Sequence, residues 1–127
     1  MRFLLDTHAF LWFIDGNRQL SVFGREAIEA PDNQPILSIA SLWEIGIKIS
    51  LGRLDMHGTV DEFPQHIGLN GIVVQDIAFE HIDQISKLAF HHRDPFDRMI
   101  VAQAIVERWP ILSIDKAFDA YPVTRIW

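Results

Sequence analysis

Asp6, Glu44, Asp97 and Asp115 each fall at a strand-to-helix junction or in a first helical turn of the sequence. Four carboxylates gathered in one place repel and raise one another's pKa unless a cation neutralises them. The cation suited to such a set is hard: Mg²⁺ or Mn²⁺, which prefer carboxylate and water oxygens. Two such ions about 3.5–4 Å apart activate a water and stabilise the leaving oxygen of a phosphodiester. The chemistry these residue types imply is nucleic-acid hydrolysis, on the condition that the four acids meet.

Meeting depends on the elements that carry them. Asp6 follows the apolar run Phe3-Leu4-Leu5, and Asp115 follows Ile111-Leu112-Ser113-Ile114. Both stand just past the carboxyl ends of buried strands, which in a parallel sheet share the edge where ligands bind. Short apolar runs alternate with longer helical patterns, the mark of βα units and an α/β fold with a mostly parallel sheet. Five strands are expected, at residues 2–5, 36–38, 72–75, 111–114 and 122–126, with helices near 7–14, 21–29, 60–67, 78–88 and 96–108. Ile39, Leu42, Trp43, Gly46 and Ile47 recur at helical spacing, so a further helix should end after Leu51, before Gly52. Pro31, Pro35, Gly58 and Gly71 punctuate loops, and no linker or repeat divides the chain. A single domain over residues 1–127 follows.

Every one of these acids also has an ordinary explanation, because helix starts attract Asp and Glu. Asp6 suits a cap for the helix at Thr7, and Asp115 a cap for Lys116-Ala117-Phe118. In Asp94-Pro95-Phe96-Asp97, Asp94 suits the cap, Pro95 the first helical position and Asp97 the first turn, so Asp94 is assigned the structural role. Glu44 lies three residues after Ser41, a capping-box spacing, and four before Lys48, an ion-pair spacing worth roughly 0.2–0.5 kcal/mol. Its helical position reads as polar and solvent-facing.

With 127 residues and 49% hydrophobic content, the chain can bury a real core. The absence of cysteine rules out disulfides and thiolate metal sites and suits a cytoplasmic setting. Met1 to Ile14 is broken by Asp6 and His8, and no run of about 18 apolar residues occurs, so neither export nor a membrane span is expected. A net charge of −6 is unusual for a protein that binds nucleic acid. A bound cation would offset it locally, and Lys48, Arg53, Arg93, Arg98 and Lys116 are candidates for a basic rim.

The words Leu4-Leu5-Asp6-Thr7-His8 with Leu11-Trp12, Ser41-Leu42-Trp43-Glu44-Ile45 with Lys48, His92-Arg93-Asp94-Pro95-Phe96-Asp97-Arg98-Met99 with Ala102-Gln103-Ala104, and Ser113-Ile114-Asp115 resemble the PIN domain, in particular the VapC-type toxin ribonucleases of toxin-antitoxin pairs. The resemblance runs from residue 2 to Trp127, and the stretch from His92 to Met99 is its most specific part. It implies that Asp6, Glu44, Asp97 and Asp115 form the acidic quartet, with Thr7 and Ser113 at the hydroxyl positions beside it. It further implies a central strand at 2–5, with 36–38 and 72–75 on one side and 111–114 and 122–126 on the other. Mg²⁺ or Mn²⁺ as cofactor, RNA as substrate, a cognate antitoxin that occupies the groove and a homodimer come from the resemblance as well. In the mechanism it implies, Asp6, Asp97 and Asp115 hold the metal while Glu44 is a ligand or orients the attacking water. The sequence departs from the family at Leu88-Ala89-Phe90, where relatives often carry proline.

Arg93 and Arg98 are candidates for contact with the scissile phosphate, or for pairing with Asp94 or Asp97. His8, His91 and His92 lack the tight spacing of a zinc site and are read mainly as structural, with His8 facing the cleft as the minority alternative. Trp12, Trp43, Trp109 and Trp127 are read mainly as core or interface, with Trp127 closing the sheet edge. The stretch from His57 to Gly71 carries no chemical motif and is read as apolar surface for self-association or antitoxin capture. Two other classes compete. A phosphohydrolase with an aspartyl nucleophile wants a second acid two residues after Asp6, where His8 stands; an acidic-pocket α/β binding module would hold Mg²⁺ without cutting nucleic acid.

Overall fold

The computed structural model describes the whole chain, Met1–Trp127. Five strands, β1 (Arg2–Leu5), β2 (Gln34–Ser38), β3 (Val73–Gln75), β4 (Ile111–Leu112) and β5 (Arg125–Ile126), form one sheet in the order β3-β2-β1-β4-β5. Every neighbouring pair is parallel, so the sheet expected to be mostly parallel is wholly so. Strand β1 is central, with β2 and β3 on one side and β4 and β5 on the other. The chain winds outward in both directions from β1, which makes the carboxyl end of the β1–β4 boundary a crevice.

Successive β1 side chains explain the two layers of core, because side chains alternate across a strand. Phe3 and Leu5 enter one cluster with Phe10, Ile28, Leu37, Ile45, Phe63 and Leu112. Leu4 enters the other with Ile36, Ile100, Val101, Ile111 and Phe118. Helices α1 (Thr7–Asp15), α2 (Val22–Glu29), α3 (Ile39–Ser50) and α4 (Phe63–Leu69) supply residues to the first layer, and α6 (Pro95–Glu107) to the second, with α5 (Phe79–Ser86) packed along α6. No helix is long and apolar enough to cross a membrane.

Several boundaries differ from expectation for local reasons. Pro35 lies inside β2, opposite Phe3, whereas pairing with β3 begins only at Ile36, so the missing N–H deprives no β3 ladder bond. Strand β4 ends at Leu112 and the chain turns into a short 3₁₀ helix, Lys116–Ala120. Strand β5 is confined to Arg125–Ile126, since Pro122 has no N–H and Val123 instead turns back to Tyr121 O at 2.8 Å. The helix expected at 60–67 is a 3₁₀ turn, Val60–Glu62, running into α4 with Pro64 in its first turn. Within the stretch read as apolar surface, Phe63 is instead buried, edge-on to Phe10 with ring centroids 5.4 Å apart. Trp127 packs on Trp12 at 6.0 Å, which ties the chain end beside β5 to α1.

Candidate active site

Asp6 is the residue that joins β1 to α1. Its backbone is extended (φ −64°, ψ 149°), but its carboxylate makes no capping bond to the helix. The acid is 5% exposed, and its Oδ2 accepts from the Ser113 hydroxyl at 2.7 Å. The capping explanation for Asp6 therefore fails, and burial pushes its pKa upward against the lowering effect of Ser113. Ser113 sits just after β4, and the same hydroxyl accepts from the Asp115 N–H at 3.0 Å. One side chain thus links the acids at the ends of β1 and β4.

Glu44 corrects the sequence reading. It is 3% exposed, not solvent-facing. Trp43 and Ile39, expected on the helix's inner stripe, lie outside, with Trp43 63% exposed and edge-on to Phe96 at 5.4 Å. The inner stripe of α3 is Ala40, Ser41, Glu44 and Ile45. The cap is Ser38, which accepts from Ala40 N–H at 3.1 Å, so Ser41 is not part of a capping box. Polar atoms survive in this stripe because each has a partner. The Thr7 hydroxyl is 2.8 Å from Glu44 Oε1 and 2.9 Å from Ser41 Oγ. With one proton, it donates to the carboxylate and accepts from Ser41. Lys48 Nζ donates to Glu44 Oε2 at 2.7 Å, the expected pair, and this bond raises the lysine pKa.

Helix α6 begins as read, with the Asp94 carboxylate accepting from Phe96 N–H at 2.8 Å and Asp97 N–H at 3.3 Å. The Asp97 side chain differs from the other three acids in having no hydrogen-bond or ion-pair partner. Burial, then the charges of Asp94 and Asp6, push its pKa to about 7. Asp115 is the reverse. It caps the 3₁₀ helix through Ala117 N–H at 2.9 Å and receives His92 Nε2 at 3.1 Å. Burial opposes its charge, but these bonds outweigh it and hold the carboxyl below the ordinary range.

All four acids line one open cleft of about 340 Å³, together with Thr7, His8, Lys48 and Asp94. No three His, Asp or Glu side chains stand close enough together to hold a metal ion among them, so the tight carboxylate cluster expected from the sequence is instead an open arrangement. A hard ion that keeps its water needs only one or two carboxylates and an open face, and the partnerless Asp97 carboxylate is the negative charge such an ion would balance. The donor set fits Mg²⁺ or Mn²⁺.

Among the other candidates, His8 borders the cleft, whereas exposed His91 lies edge-on to Tyr121 at 4.9 Å. Arg98 reaches neither the cleft nor an acid. It is 6% exposed and donates to the carbonyls of Ala89 (2.9 Å), Leu88 (3.1 Å) and Ile85 (3.4 Å). Phe90 lies against its guanidinium, 3.9 Å from the ring centroid. The departure Leu88-Ala89-Phe90 is thus a loop fastened by Arg98. His92 and Tyr121, which sequence reasoning did not assign to the site, stand behind Asp115; His92 opens the family-like stretch His92 to Met99, but its partner Asp115 lies 23 residues away and leaves no local signal.

Residues 3–123 match the family model described as PIN domain, and the chain belongs to the PIN domain family. Among solved structures it is similar to VapBC2 from Rickettsia felis bound to a DNA fragment from their promoter, with 16% identity, a TM-score of 0.73 and coverage of 99% of this chain and 98% of that one. It is also similar to a toxin-antitoxin complex from Klebsiella pneumoniae, with 18% identity, a TM-score of 0.67 and coverage of 98% and 96%. No curated protein matches it significantly.

Proposed function

We propose that this chain is a metal-dependent endoribonuclease toxin of a toxin-antitoxin pair, which hydrolyses RNA phosphodiester bonds at Asp6, Glu44, Asp97 and Asp115. The observation that carries the reading is the gathering of these four acids, drawn from four separate elements, into one open cleft where the Asp97 carboxylate has no hydrogen-bond or ion-pair partner. Membership of the PIN family and the likeness of the fold to two toxin-antitoxin complexes support it. By that likeness the partner is a cognate antitoxin protein that covers the cleft. The homodimer and the cytoplasmic setting belong to the same reading.

Asp6, Asp97 and Asp115 would hold Mg²⁺ or Mn²⁺, with Glu44 as a further ligand or as the group that orients the attacking water. Bound there, such ions supply Lewis acidity that acidifies water and offsets charge on the leaving oxygen. The chain's own residues prepare that chemistry. Ser113 fixes the rotation of Asp6, and Thr7 fixes Glu44. Lys48 brings a cation to the cleft wall, where it can meet a phosphate once Glu44 has another partner. The acids of the neighbouring-strand crevice are thereby set before substrate arrives.

The test is incubation of antitoxin-free wild type and Asp6→Asn with a mixed structured RNA pool, in Mg²⁺, in Mn²⁺ and in chelator, followed by mapping of cut ends. Discrete metal-dependent cuts lost in a folded variant are expected. Cleavage that persists undiminished in pure Asp6→Asn would sink the assignment, and metal binding without cuts would favour the binding-module class.

A further inference from the structure

His92 lies in the segment between α5 and α6, inside an aromatic slot. Its ring stacks on Phe118, with centroids 4.8 Å apart and planes 30° apart, and on Tyr121 at 5.5 Å and 18°. Hydrogen bonding then determines where its proton sits. The His92 backbone N–H donates to Tyr121 Oη at 2.8 Å, which occupies an acceptor position on that oxygen. The phenol proton is left to donate, and His92 Nδ1 is 3.1 Å away to accept it. A neutral ring that accepts at Nδ1 carries its hydrogen on Nε2, which faces Asp115 Oδ2 at 3.1 Å. Asp115 Oδ1 is taken up by Ala117 N–H at 2.9 Å. Each carboxylate oxygen therefore has one fixed donor and spare lone pairs, and rotation of the group breaks a bond at either end.

We infer that His92 is a positioning residue: the relay from Tyr121 Oη–H to His92 Nδ1, and from His92 Nε2–H to Asp115 Oδ2, sets the carboxylate that receives a divalent cation. The inference rests on the metal-dependent reading given above. A ring retained only to fill the slot would need neither ring nitrogen, and phenylalanine would serve as well. Partners that orient a ligating carboxylate typically change metal affinity or activity about 10–100-fold when removed.

The experiment measures Mn²⁺ affinity by titration calorimetry and electron paramagnetic resonance, and melting temperature, for the full-length wild type, His92→Phe, His92→Gln and Asp6→Asn. Long-range ¹H–¹⁵N spectra of the wild type report which ring nitrogen is protonated. Expected are a proton on Nε2 and a His92→Phe protein that melts near wild type but binds Mn²⁺ about 10–100-fold more weakly. His92→Gln, with an amide N–H near the Nε2 position, should recover part of that loss. Equal Mn²⁺ affinity in wild type and His92→Phe, a Gln variant no better than Phe, or a wild-type ring protonated on Nδ1 alone would overturn the inference. Should His92→Phe melt far below wild type, Tyr121→Phe replaces it. That variant keeps the stacked ring and removes only the hydroxyl, and it should mix the two tautomers and weaken Mn²⁺ binding; an unmixed tautomer with unchanged affinity overturns the relay. Affinity lost in Asp6→Asn but intact in His92→Phe removes only the positioning role, whereas a wild type that binds no Mn²⁺ removes the metal-site reading and this inference with it.

Discussion

Asp97 and Asp115 border the same cleft, yet the protein treats them in opposite ways. Asp115 is exposed enough to keep its hydration and is given two donors, Ala117 N–H and His92 Nε2. Asp97 is more deeply placed, has no donor, and faces the charges of Asp94 and Asp6. One carboxyl is held below the ordinary range and the other is raised to about 7. Ordinary folding pressure would supply a partner for Asp97 or replace it, since an unpaired buried charge is costly. The difference teaches that Asp115 is built to stay in place and Asp97 to be completed by something that arrives.

The strongest way to break this contrast is to remove the unfinished side. Asp97→Asn should lower cleavage by more than about 100-fold while leaving the fold as stable as wild type or more so, read by RNA cleavage and urea denaturation on the same samples. A large loss of stability would mean that Asp97 has a structural partner. The same variant gives the pH test. The raised pKa means that folded Asp97 keeps its proton between its ordinary value of 3.8 and about 7, whereas the unfolded chain has lost it. The folded state then binds more protons, so its contribution to stability is present below 3.8 and is lost as pH rises toward 7. Metal-free wild type should show this decline relative to Asp97→Asn, and Mg²⁺ should reduce it.

The Asp115 side can be loosened by degrees. Arg98→Met should cost about 2–4 kcal/mol in urea unfolding, because three carbonyls of the loop leading to His92 lose a charged donor. Ser113→Ala should cost about 1–3 kcal/mol, since buried Asp6 loses a donor and Asp115 N–H an acceptor. Its cleavage should fall as well, through both acids at once. The smallest effect belongs to Lys48→Met, about 0.5 kcal/mol by thermal denaturation, as the pair with Glu44 is partly exposed. A loss above about 2 kcal/mol there would show that Glu44 depends on Lys48 rather than on Thr7.

The contrast also marks what could be read from the sequence. Strand β1 was legible because Phe3-Leu4-Leu5 is a continuous apolar run bounded by a polar residue, and its central place followed once the family resemblance was recognised. Strand β5 was overextended because hydropathy does not register the turn at Tyr121 to Val123. Asp6, Asp97 and Asp115 were legible by their positions at element ends, whereas Glu44 lies in the middle of α3, not in its first turn, and was legible only through the family-like word Ser41-Leu42-Trp43-Glu44-Ile45. Their environments were not, because they depend on contacts far apart in the chain: Thr7 to Glu44 is a separation of 37 residues, and His92 to Asp115 one of 23. Helical spacing put Trp43 inside and Glu44 outside, and the hydroxyls of Thr7 and Ser41 reversed that order by offering polar partners in the interior. Arg98 was read as a contact for the scissile phosphate or a partner of Asp94 or Asp97 for the same reason: its neighbours in sequence are acids, but its partners in space are carbonyls.

The single hydroxyl of Ser113 also has a meaning in time. It meets Asp6 across 107 residues of chain, and β1, the middle of the sheet, has one of its two neighbours in β4 at Ile111–Leu112. A growing chain therefore makes Asp6 more than a hundred residues before that acid's donor, its second flanking strand and Asp115. Such distant pairings are late and slow to close. A partly made copy lacks some residues of the cleft and a partly opened one has the residues but not the cleft, so whatever activity resides there is withheld until folding is complete.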